Sequence, residues 1–313
     1  MATNVLFDVD PGCDDAVMLA VGLASPDINT VGITSVAGNT TITNTTQNTL
    51  SILEFVNKTA VPVAKGCGRP LVDELDTAER IHGPDGMRGE FPDPTVQPID
   101  SHAVDFIIEQ AQTHGTDLTI AAVGPLTNIA VAIAKEPALP EMVEEIYVMG
   151  GAAMTLGNTT PAAEANFRND PEAASRVIQD GDPKMVGLDV TNKATVPQEM
   201  VEAFTGGSAA LQNIAAWFEY PDDVTDLSVG EGYAIHDAAV VADIIDDDIL
   251  SFERYPLEID TTGGPSYGAV LCDKYGVTGQ QPNASVAVDI DVSRFQAILD
   301  ENLRQFAKMA DSS

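Results

Sequence analysis

Short apolar runs that end at a turn and lead into a helical segment recur along this sequence, and no other feature restricts its fold as strongly. Residues 5–9 are apolar and β-prone, the turn residues Asp10, Pro11 and Gly12 follow, and a helical stretch begins near Asp14. Further apolar runs lie at residues 30–36, 118–123, 146–149 and 185–188. Because strands that alternate with helices form βαβ units, the pattern predicts an α/β fold with a mostly parallel central sheet flanked by helices.

The C-terminal part of the chain has a different pattern. Turn-rich segments join predicted strands at residues 253–259, 268–272 and 285–290, and a closing helix is predicted from residue 292 to about residue 309. No linker, internal repeat or low-complexity tract divides the sequence, so we expect a single domain over residues 1–313.

Residues 78–90 are typical of an exposed loop. They carry three glycines, one proline and charges of both signs. Such a loop is either a mobile lid over a binding site or an ordinary surface connection.

The charge of the chain disfavours several classes of partner. Its 48 Asp and Glu residues against 15 Lys and Arg give a formal net charge of −33, which makes nucleic acid and anionic membranes poor partners. Salt screens the self-repulsion of such a surface, with a Debye length of roughly 3 Å in about 1 M salt. We therefore expect a halophilic protein of a salt-adapted cytoplasm, although ordinary soluble proteins also reach this acidity.

The cysteines and the N-terminus also favour a cytoplasmic location. Cys13, Cys67 and Cys272 are odd in number and form no CxxC pair, which argues against a disulfide framework and against a zinc knuckle. The N-terminus lacks a basic segment followed by a long apolar one, and the apolar stretch at residues 16–24 is too short to span a bilayer. We expect a soluble, cytoplasmic protein with no membrane partner.

Polar and small residues follow the predicted strands. They are Asp10, residues 36–39, residues 123–124, residues 149–151 and Asp189. In open sheets of parallel strands, ligands bind beyond the carboxyl ends of the strands. We therefore expect these positions to converge on one crevice.

Four aspartates lie close together at the first of these strand ends. Asp8 and Asp10 end the strand, and Asp14 and Asp15 open the helix. Two carboxylates about 4 Å apart repel by roughly 4 kcal/mol at an effective dielectric constant of about 20, so the cluster needs a cation or protonation. Oxygen ligands without His or Cys favour Ca²⁺ or Mg²⁺ over zinc. Asp8 lies deeper than Asp10 and is expected to support the site; helix capping and a solvated acidic turn are the alternative for the whole cluster.

A second acidic position follows a glycine-bearing segment near the C-terminal end. His236 and Asp237 precede an apolar helical stretch, where a carboxylate is favoured by the helix dipole. Either the pair lines the crevice or it only begins a helix.

A loop at residues 157–169 offers side chains that suit sugar hydroxyls. Asn158, Glu164 and Asn166 combine hydrogen-bond donors and acceptors, and Asn39 does so in the segment after the second strand. Asn-rich loops are also common as simple turns, and that alternative stays open.

Taken together, these residues resemble the inosine-uridine nucleoside hydrolases, a family of Ca²⁺-dependent N-ribohydrolases. Residues 8–16 read Asp-Val-Asp-Pro-Gly-Cys-Asp-Asp-Ala, which is similar to the family fingerprint DxDPGxDDA. Further similar motifs occur in the family's order at residues 37–39, 81–83, 124–128, 148–151, 164–166, 186–191 and 236–237. The resemblance runs from residue 8 to about residue 290 and implies the nucleoside hydrolase fold with a Rossmann-like core.

The resemblance implies a calcium site and a ribose site. The implied ligands of Ca²⁺ are Asp10, Asp15, Asp237 and the backbone carbonyl of Val123. The residues implied around the ribose are Asp14, Asn39 and Asn166 at its 2′- and 3′-hydroxyls, Asn158 and Glu164 toward its 5′ side, and Met149 in the sugar pocket. Asp237 is implied to bind the substrate as well as the metal.

It also implies an activity, the hydrolysis of ribonucleosides to free base and ribose. Asp10 would be the general base for a metal-bound water that attacks the anomeric carbon, through a transition state that resembles an oxocarbenium ion. His236 is the candidate for protonating or hydrogen-bonding the departing base, and His82 for contacting the 5′-hydroxyl or the base. The family's habit of assembly implies a homodimer or homotetramer, with a small-molecule ribonucleoside as the only other partner.

The base preference stays open at this point. Aromatic residues that stack on purines in some members come from the region before His236, where this chain offers Trp217, Phe218, Tyr220 and Tyr233. The histidine at position 236 slightly favours broad or pyrimidine-leaning specificity.

Two other functions compete with hydrolysis of nucleosides. The pair Asp8 and Asp10 at a strand end also occurs in haloacid-dehalogenase-like phosphatases, with Asp8 as the nucleophile, but these normally have Thr or Val where this chain has Gly12. The third possibility is a non-catalytic or altered-substrate binder of ribosyl compounds with the same fold.

Overall fold

The computed structural model of the chain describes residues 2–219 and 232–312. The strands in this part of the chain are β1 (Thr3–Val9), β2 (Ile28–Ser35), β3 (Val63–Lys65), β4 (Leu118–Ala122), β5 (Glu145–Met149), β6 (Lys184–Val186), β7 (Thr195–Val196), β8 (Tyr233–Ala234), β9 (Leu250–Tyr255), β10 (Leu257–Ile259), β11 (Val270–Cys272) and β12 (Ala284–Ile290). The α-helices are α1 (Cys13–Ala24), α2 (Ile42–Phe55), α3 (Glu79–His82), α4 (Ala103–His114), α5 (Thr127–Lys135), α6 (Leu139–Met142), α7 (Ala165–Asn169), α8 (Pro171–Asp180), α9 (Leu188–Thr191), α10 (Gln198–Thr205), α11 (Ala209–Ala215), α12 (Ala238–Ile245) and α13 (Val292–Asp311). Short 3₁₀ helices lie at Gly115–Asp117 and Ala216–Phe218.

Eight of the strands form the central sheet, in the order β3-β2-β1-β4-β5-β6-β12-β9. All neighbours in it are parallel except β12 and β9. Two small antiparallel pairs, β7 with β8 and β10 with β11, lie outside it. The predicted α/β fold with a mostly parallel sheet is confirmed.

The sheet is covered by helices on both faces, which explains why its strands read as continuous apolar runs. Phe7 of β1 packs into one apolar cluster with α1, α12 and α13, whereas its neighbour Leu6 packs into the other cluster with α4, α5 and α8. The alternation of side chains along a strand sends adjacent residues to opposite faces. Neither face is left for solvent at the centre of the sheet.

The predicted strand at residues 253–259 is wrong in one respect, because it is two strands in different sheets. Pro256 separates β9, at the edge of the central sheet, from β10, which pairs with β11. A proline cannot donate a hydrogen bond to a neighbouring strand, so the pairing is interrupted there and the chain changes sheets. The apolar run at 185–188 is similarly split, since β6 ends at Val186 and α9 begins at Leu188.

The expectation of an exposed loop at residues 78–90 is also wrong in part. It contains the short helix α3, and the side chain of His82 is buried. Asn48 donates through Nδ2 to the carbonyl of Asp85 at 2.9 Å, and Asn213 forms two hydrogen bonds with the backbone of Glu90. Both halves of the segment are therefore tied to neighbouring helices.

No helix in residues 2–219 and 232–312 is both long and apolar enough to cross a membrane.

The contact between α1 and β1 generates a stability prediction at Gly22. A Cβ atom at this position would lie 2.7 Å from Cζ of Phe7 and 3.4 Å from Cγ2 of Val241. We expect Gly22→Ala to lower the free energy of unfolding by about 1–3 kcal/mol through overpacking. At an uncrowded helical position the same change would stabilise the helix by roughly 1 kcal/mol. Urea unfolding measures the difference.

The control for this prediction shortens the side chain of Phe7, which the new methyl group at position 22 would contact. In the Phe7→Leu background, Gly22→Ala is expected to cost less than in the wild-type chain, because the shorter side chain withdraws the crowding atoms. Equal costs in both backgrounds, or a more stable Gly22→Ala protein, would contradict the packing described.

Candidate active site

A cavity of about 240 Å³ lies at the carboxyl ends of the central strands. Ten of the residues predicted from the sequence line it, namely Asp14, Asn39, His82, Val123, Met149, Asn158, Glu164, Asn166, His236 and Asp237. Asp10 lines an adjoining cavity of about 490 Å³ that shares Asn39 and Asn166 with the first. The predicted convergence therefore occurs for these residues. It fails for Asp189, which instead accepts hydrogen bonds from the backbone amides of Ala153 and Met154.

Two glycines make room for the carboxylate of Asp10. A Cβ atom at Gly38 would clash with its Oδ2 atom, and one at Gly124 would lie 2.5 Å from its Oδ1 atom. The backbone amide of Asn39 donates to Oδ2 at 2.6 Å, whereas Oδ1 is buried and has no hydrogen-bond partner. Asp10 therefore presents one unpaired oxygen at the end of β1.

Asp15 fixes the turn between β1 and α1. Its Oδ1 atom accepts from the amide of Asp10 at 3.0 Å, and its Oδ2 atom accepts from the amide of Gly12 at 2.9 Å. The side chain of Asn39 donates to Oδ2 as well, at 3.2 Å. Asp15 therefore caps the start of α1, as the helix-capping alternative expected, but the turn is not a solvated one, because Asp10 and Asp15 are both buried.

Carboxylates from the two ends of the chain meet beside this turn. Oxygen atoms of Asp14, Asp15 and Asp237 lie within 4.8 Å of one another, and Asp237 immediately precedes α12. Burial, followed by the charge of Asp14, raises the pKa of Asp15 to about 7. Burial and the neighbouring acids also raise the pKa values of Asp10 and Asp237 well above the usual range of a carboxyl group.

The donor set of this cluster fits a hard divalent cation. Its side-chain ligands are carboxylate oxygens, the kind that Ca²⁺ and Mg²⁺ prefer. Besides Oδ1 of Asp10, the buried Oδ1 atom of Asp14 has no hydrogen-bond partner. Buried carboxylates that repel one another and lack donors are stabilised by a bound cation.

Val123 and Asn166 form the next part of the wall. Asn166 donates through Nδ2 to the carbonyl oxygens of Val123 at 2.6 Å and Met149 at 3.1 Å. The amide of Val123 in turn donates to the carbonyl of Asp8 at 2.9 Å. The carbonyl of Val123 therefore lies at the cavity, in contact with a residue expected to bind the ribose.

Asp8 lies in the sheet beside the site. Its Oδ1 atom accepts from Oγ1 of Thr34 at 2.6 Å and from Nδ2 of Asn128 at 2.7 Å, and burial raises its pKa to about 7. Its side chain lines neither of the two cavities, which disfavours Asp8 as the nucleophile of a phosphatase. The side chain of Asp8 thus contacts Thr34 and Asn128 and not the amides of a helix, and only its backbone carbonyl contacts Val123.

Glu164 organises the start of α7. Its buried carboxylate accepts from the amides of Gly151 at 2.9 Å, Asn166 at 2.9 Å and Phe167 at 3.1 Å. Burial raises its pKa, and the three amide hydrogen bonds oppose that rise. Asn158 accepts from the amide of Ala165 at 3.0 Å, so the polar side chains of this loop are held in place before any ligand binds.

Two histidines form the opposite wall of the cavity. Nδ1 of His82 accepts from the amide of Cys13 at 3.1 Å, and Nδ1 of His236 lies 2.8 Å from Oγ1 of Thr191. Burial lowers the pKa of both rings, and the charge of Asp14 opposes that shift. The prediction that His82 belongs to an exposed loop is wrong, but its predicted position at the site is supported.

Sequence reasoning missed several residues of the site. Thr191 lies in the family motif at residues 186–191, and Asn128 lies in the one at residues 124–128. Neither residue type by itself indicates a role in the site. Ile81 and Asn192 also line the cavity, and so does Tyr233, which was among the predicted stacking candidates. Of the aromatic residues considered for stacking, Tyr220 lies outside the described residues, as do residues 221–231 of the adjoining loop, whereas Trp217 and Phe218 are buried in the core.

Comparisons with known proteins agree with this arrangement. The family model for inosine-uridine preferring nucleoside hydrolase matches residues 5–297. The pyrimidine-specific ribonucleoside hydrolase RihA of Escherichia coli strain K12 is 38% identical over 315 residues, which cover 98% of this chain and 100% of that protein. Among solved structures, a purine-preferring ribonucleoside hydrolase from Gardnerella vaginalis is 28% identical with a TM-score of 0.89, and the match covers 99% of this chain and 100% of the other. The plant nucleoside hydrolase PpNRh1 is 29% identical with a TM-score of 0.88, covering 97% and 99%.

The carboxylate cluster predicts that a divalent cation stabilises the fold. At a free Ca²⁺ concentration about a hundredfold above the dissociation constant, binding to the native state adds roughly 2.7 kcal/mol to the free energy of unfolding. We expect Asp15→Asn to lose most of this increment, because it removes one charge from the cluster. Thermal unfolding with Ca²⁺ and with a chelator measures the increment in each protein.

The matched control is Asp247→Asn, in the largely exposed acidic run of residues 246–248, whose carboxylates also lie close together. This variant is expected to keep the full increment, because solvated acids do not need a cation. The cluster is not the binding site if Asp15→Asn and the wild-type chain gain equal stability from Ca²⁺.

Proposed function

This chain belongs to the inosine-uridine preferring nucleoside hydrolase family and is a ribonucleoside hydrolase, and we propose that Asp10 is the general base of its reaction. The reaction cleaves the N-glycosidic bond of a ribonucleoside and yields free base and ribose. One observation carries the proposal for Asp10: its Oδ1 atom is buried, has no partner and lies beside the other acids at the end of β1. A carboxylate in that state accepts a proton from an attacking water molecule.

We propose Ca²⁺ as the cofactor, held by Asp10, Asp15, Asp237 and the carbonyl oxygen of Val123. Such a cation lowers the pKa of a water molecule and thereby supplies a nucleophile at neutral pH. The crowding of Asp14, Asp15 and Asp237 supports this assignment, because the cluster has more buried negative charge than the protein itself neutralises.

The ribose is proposed to lie between the aspartates and α7. Asp14, Asn39, Asn166 and Asp237 would bind its secondary hydroxyls, Asn158 and Glu164 would face its 5′ side, and Met149 would pack against the ring. The hydrogen bonds that hold Glu164 and Asn166 in place support this role, since preorganised polar groups bind a sugar without losing further side-chain entropy.

The same residues favour the transition state over the bound substrate. Positive charge develops on the ribose as the glycosidic bond breaks, and carboxylates in a buried site stabilise it more strongly than water does. Asp14 and Glu164 both line the cavity. They are proposed to act by charge, without forming or breaking a bond.

His82 and His236, which form one wall of the cavity, are the candidates for assisting the departure of the base. We propose that His236 donates to the leaving base and that His82 contacts the base or the 5′-hydroxyl. Both rings line the cavity, and burial lowers their pKa values, which favours the neutral imidazole with one N–H to donate. The third possibility, a binder without turnover, is disfavoured by the presence of the whole set of acids around Asp10.

The state of the protein in the cell is also a proposal. We propose a homodimer or homotetramer in a salt-adapted cytoplasm. Val72, Leu156, Tyr275 and Val277 are exposed on the single chain and are available for apolar contacts in such an assembly. Three free thiols fit a reducing compartment, and the net charge of −33 fits high salt.

The role of Asp10 predicts the effect of Asp10→Asn on turnover. We expect kcat for uridine to fall by at least about a hundredfold, because the amide accepts no proton. Release of reducing sugar from uridine, with and without a chelator, measures it. The buried Asp243, bonded to Tyr147 and Leu250 away from the cavity, provides the matched control, and Asp243→Asn is expected to remain active. An Asp10→Asn protein with wild-type kcat would remove Asp10 as the base.

We propose a preference for pyrimidine nucleosides, in line with the bacterial relative named as pyrimidine-specific. A panel of uridine, cytidine and inosine tests this by kcat/KM. The expected order places uridine or cytidine above inosine by about tenfold or more. Higher kcat/KM for inosine would overturn the preference and leave the hydrolysis itself intact.

A further inference from the structure

Thr191 is buried against the side chain of His236 and has no role in the reaction described so far. It is the last residue of α9, its side chain is fully buried, and its Oγ1 atom lies 2.8 Å from Nδ1 of His236. The pair therefore joins a helix that follows the central sheet to the segment that carries Asp237.

The backbone on both sides fixes this contact. The amide of Leu188, at the start of α9, donates to the carbonyl of Gly151 at 2.9 Å. After Thr191, the carbonyl of Ala194 accepts from the amide of Ile235 at 3.0 Å, and β7 pairs with β8. The hydroxyl and the imidazole are thus brought together by main-chain hydrogen bonds, so their separation does not depend on a mobile loop.

The orientation of the ring follows from this contact. His236 lines the cavity, and its Nδ1 atom is directed at Thr191. The two nitrogens of an imidazole point away from each other, so Nε2 is the one directed toward a ligand. A neutral imidazole has a single N–H, and the partner of one nitrogen decides which nitrogen carries it.

We propose that Thr191 is a positioning residue, whose hydroxyl donates to Nδ1 of His236 and thereby keeps the Nε2 N–H directed at the leaving base. This rests on the proposed function, in which negative charge develops on the base as the glycosidic bond breaks. A donor held in place before the reaction stabilises that charge without reorganisation. In the reverse arrangement, with Nδ1–H donating to the hydroxyl, Nε2 would present a lone pair to the base and oppose its departure.

A comparison of leaving groups tests the proposal. Uridine needs a donor for its departing base, whereas the p-nitrophenolate of p-nitrophenyl β-D-ribofuranoside is stable without one. We expect Thr191→Val, which keeps the shape and removes the hydroxyl, to lower kcat for uridine by about ten- to a hundredfold. The KM for uridine and the kcat for the nitrophenyl riboside are expected to change by less than about threefold.

Three comparisons separate positioning from a structural role. Thr191→Ser keeps the hydroxyl and is expected to restore most of the uridine activity that Thr191→Val loses. Thr195→Val makes the same change in β7. Because the hydrogen bond of His236 goes to Thr191 and not to Thr195, this variant is expected to leave the ratio of kcat on the two substrates unchanged. In a His236→Ala background, Thr191→Val is expected to have no further effect, because the hydroxyl acts through the ring.

Other results would overturn the proposal. Equal losses on uridine and the nitrophenyl riboside would show that Thr191 only maintains the shape of the site, and wild-type activity of Thr191→Val on both would show that the hydroxyl is dispensable. If Thr191→Val lowers kcat for uridine by the same factor in the His236→Ala background as in the wild-type chain, Thr191 does not act through His236. If the wild-type chain cleaves neither substrate, the proposed function itself fails. That failure is distinct from a failure of the Thr191 proposal, because it is seen in the wild-type chain and not in a variant.

Discussion

Mutual repulsion among buried carboxylates is the constraint on which the site depends. Asp10, Asp14, Asp15 and Asp237 are brought together where burial already raises the pKa values of three of them, Asp10, Asp15 and Asp237. Such an arrangement persists only if the backbone holds it and a cation or protons neutralise it. The amides that hold Asp15 and the glycines beside Asp10 supply the first condition. A divalent ion satisfies the second while leaving the carboxylates ionised.

The parallel sheet is what makes this concentration of charge possible. The neighbouring strands β1, β2 and β4 end side by side, so Asp10, Asn39 and Val123 reach one point without any long connection. Asp237 completes the group from α12, which packs on α1 beneath the same edge. Residues from both ends of the chain are therefore needed for one site, and the stability of the fold and the chemistry are coupled through it.

The sequence was sufficient for much of the fold and for most of the site. Apolar runs and turns predict the parallel strands, and the spacing of the aspartates predicts a cluster at the end of β1. Pro256 shows where pattern alone fails, because one apolar run there serves two sheets. The burial of His82 and the role of Thr191 could not be predicted for another reason: each depends on a contact with a residue distant in sequence, Cys13 for His82 and His236 for Thr191. Local composition does not carry such information.

The most direct test of the central claim is the metal content of the purified protein, measured by elemental analysis after extensive dialysis against metal-free buffer. If the carboxylates bind a divalent ion, the wild-type protein retains about one equivalent of calcium per chain. The Asp237→Asn protein, folded to the same extent by circular dichroism, retains much less. A wild-type chain that keeps no divalent ion and still hydrolyses uridine in the presence of a chelator would contradict the account.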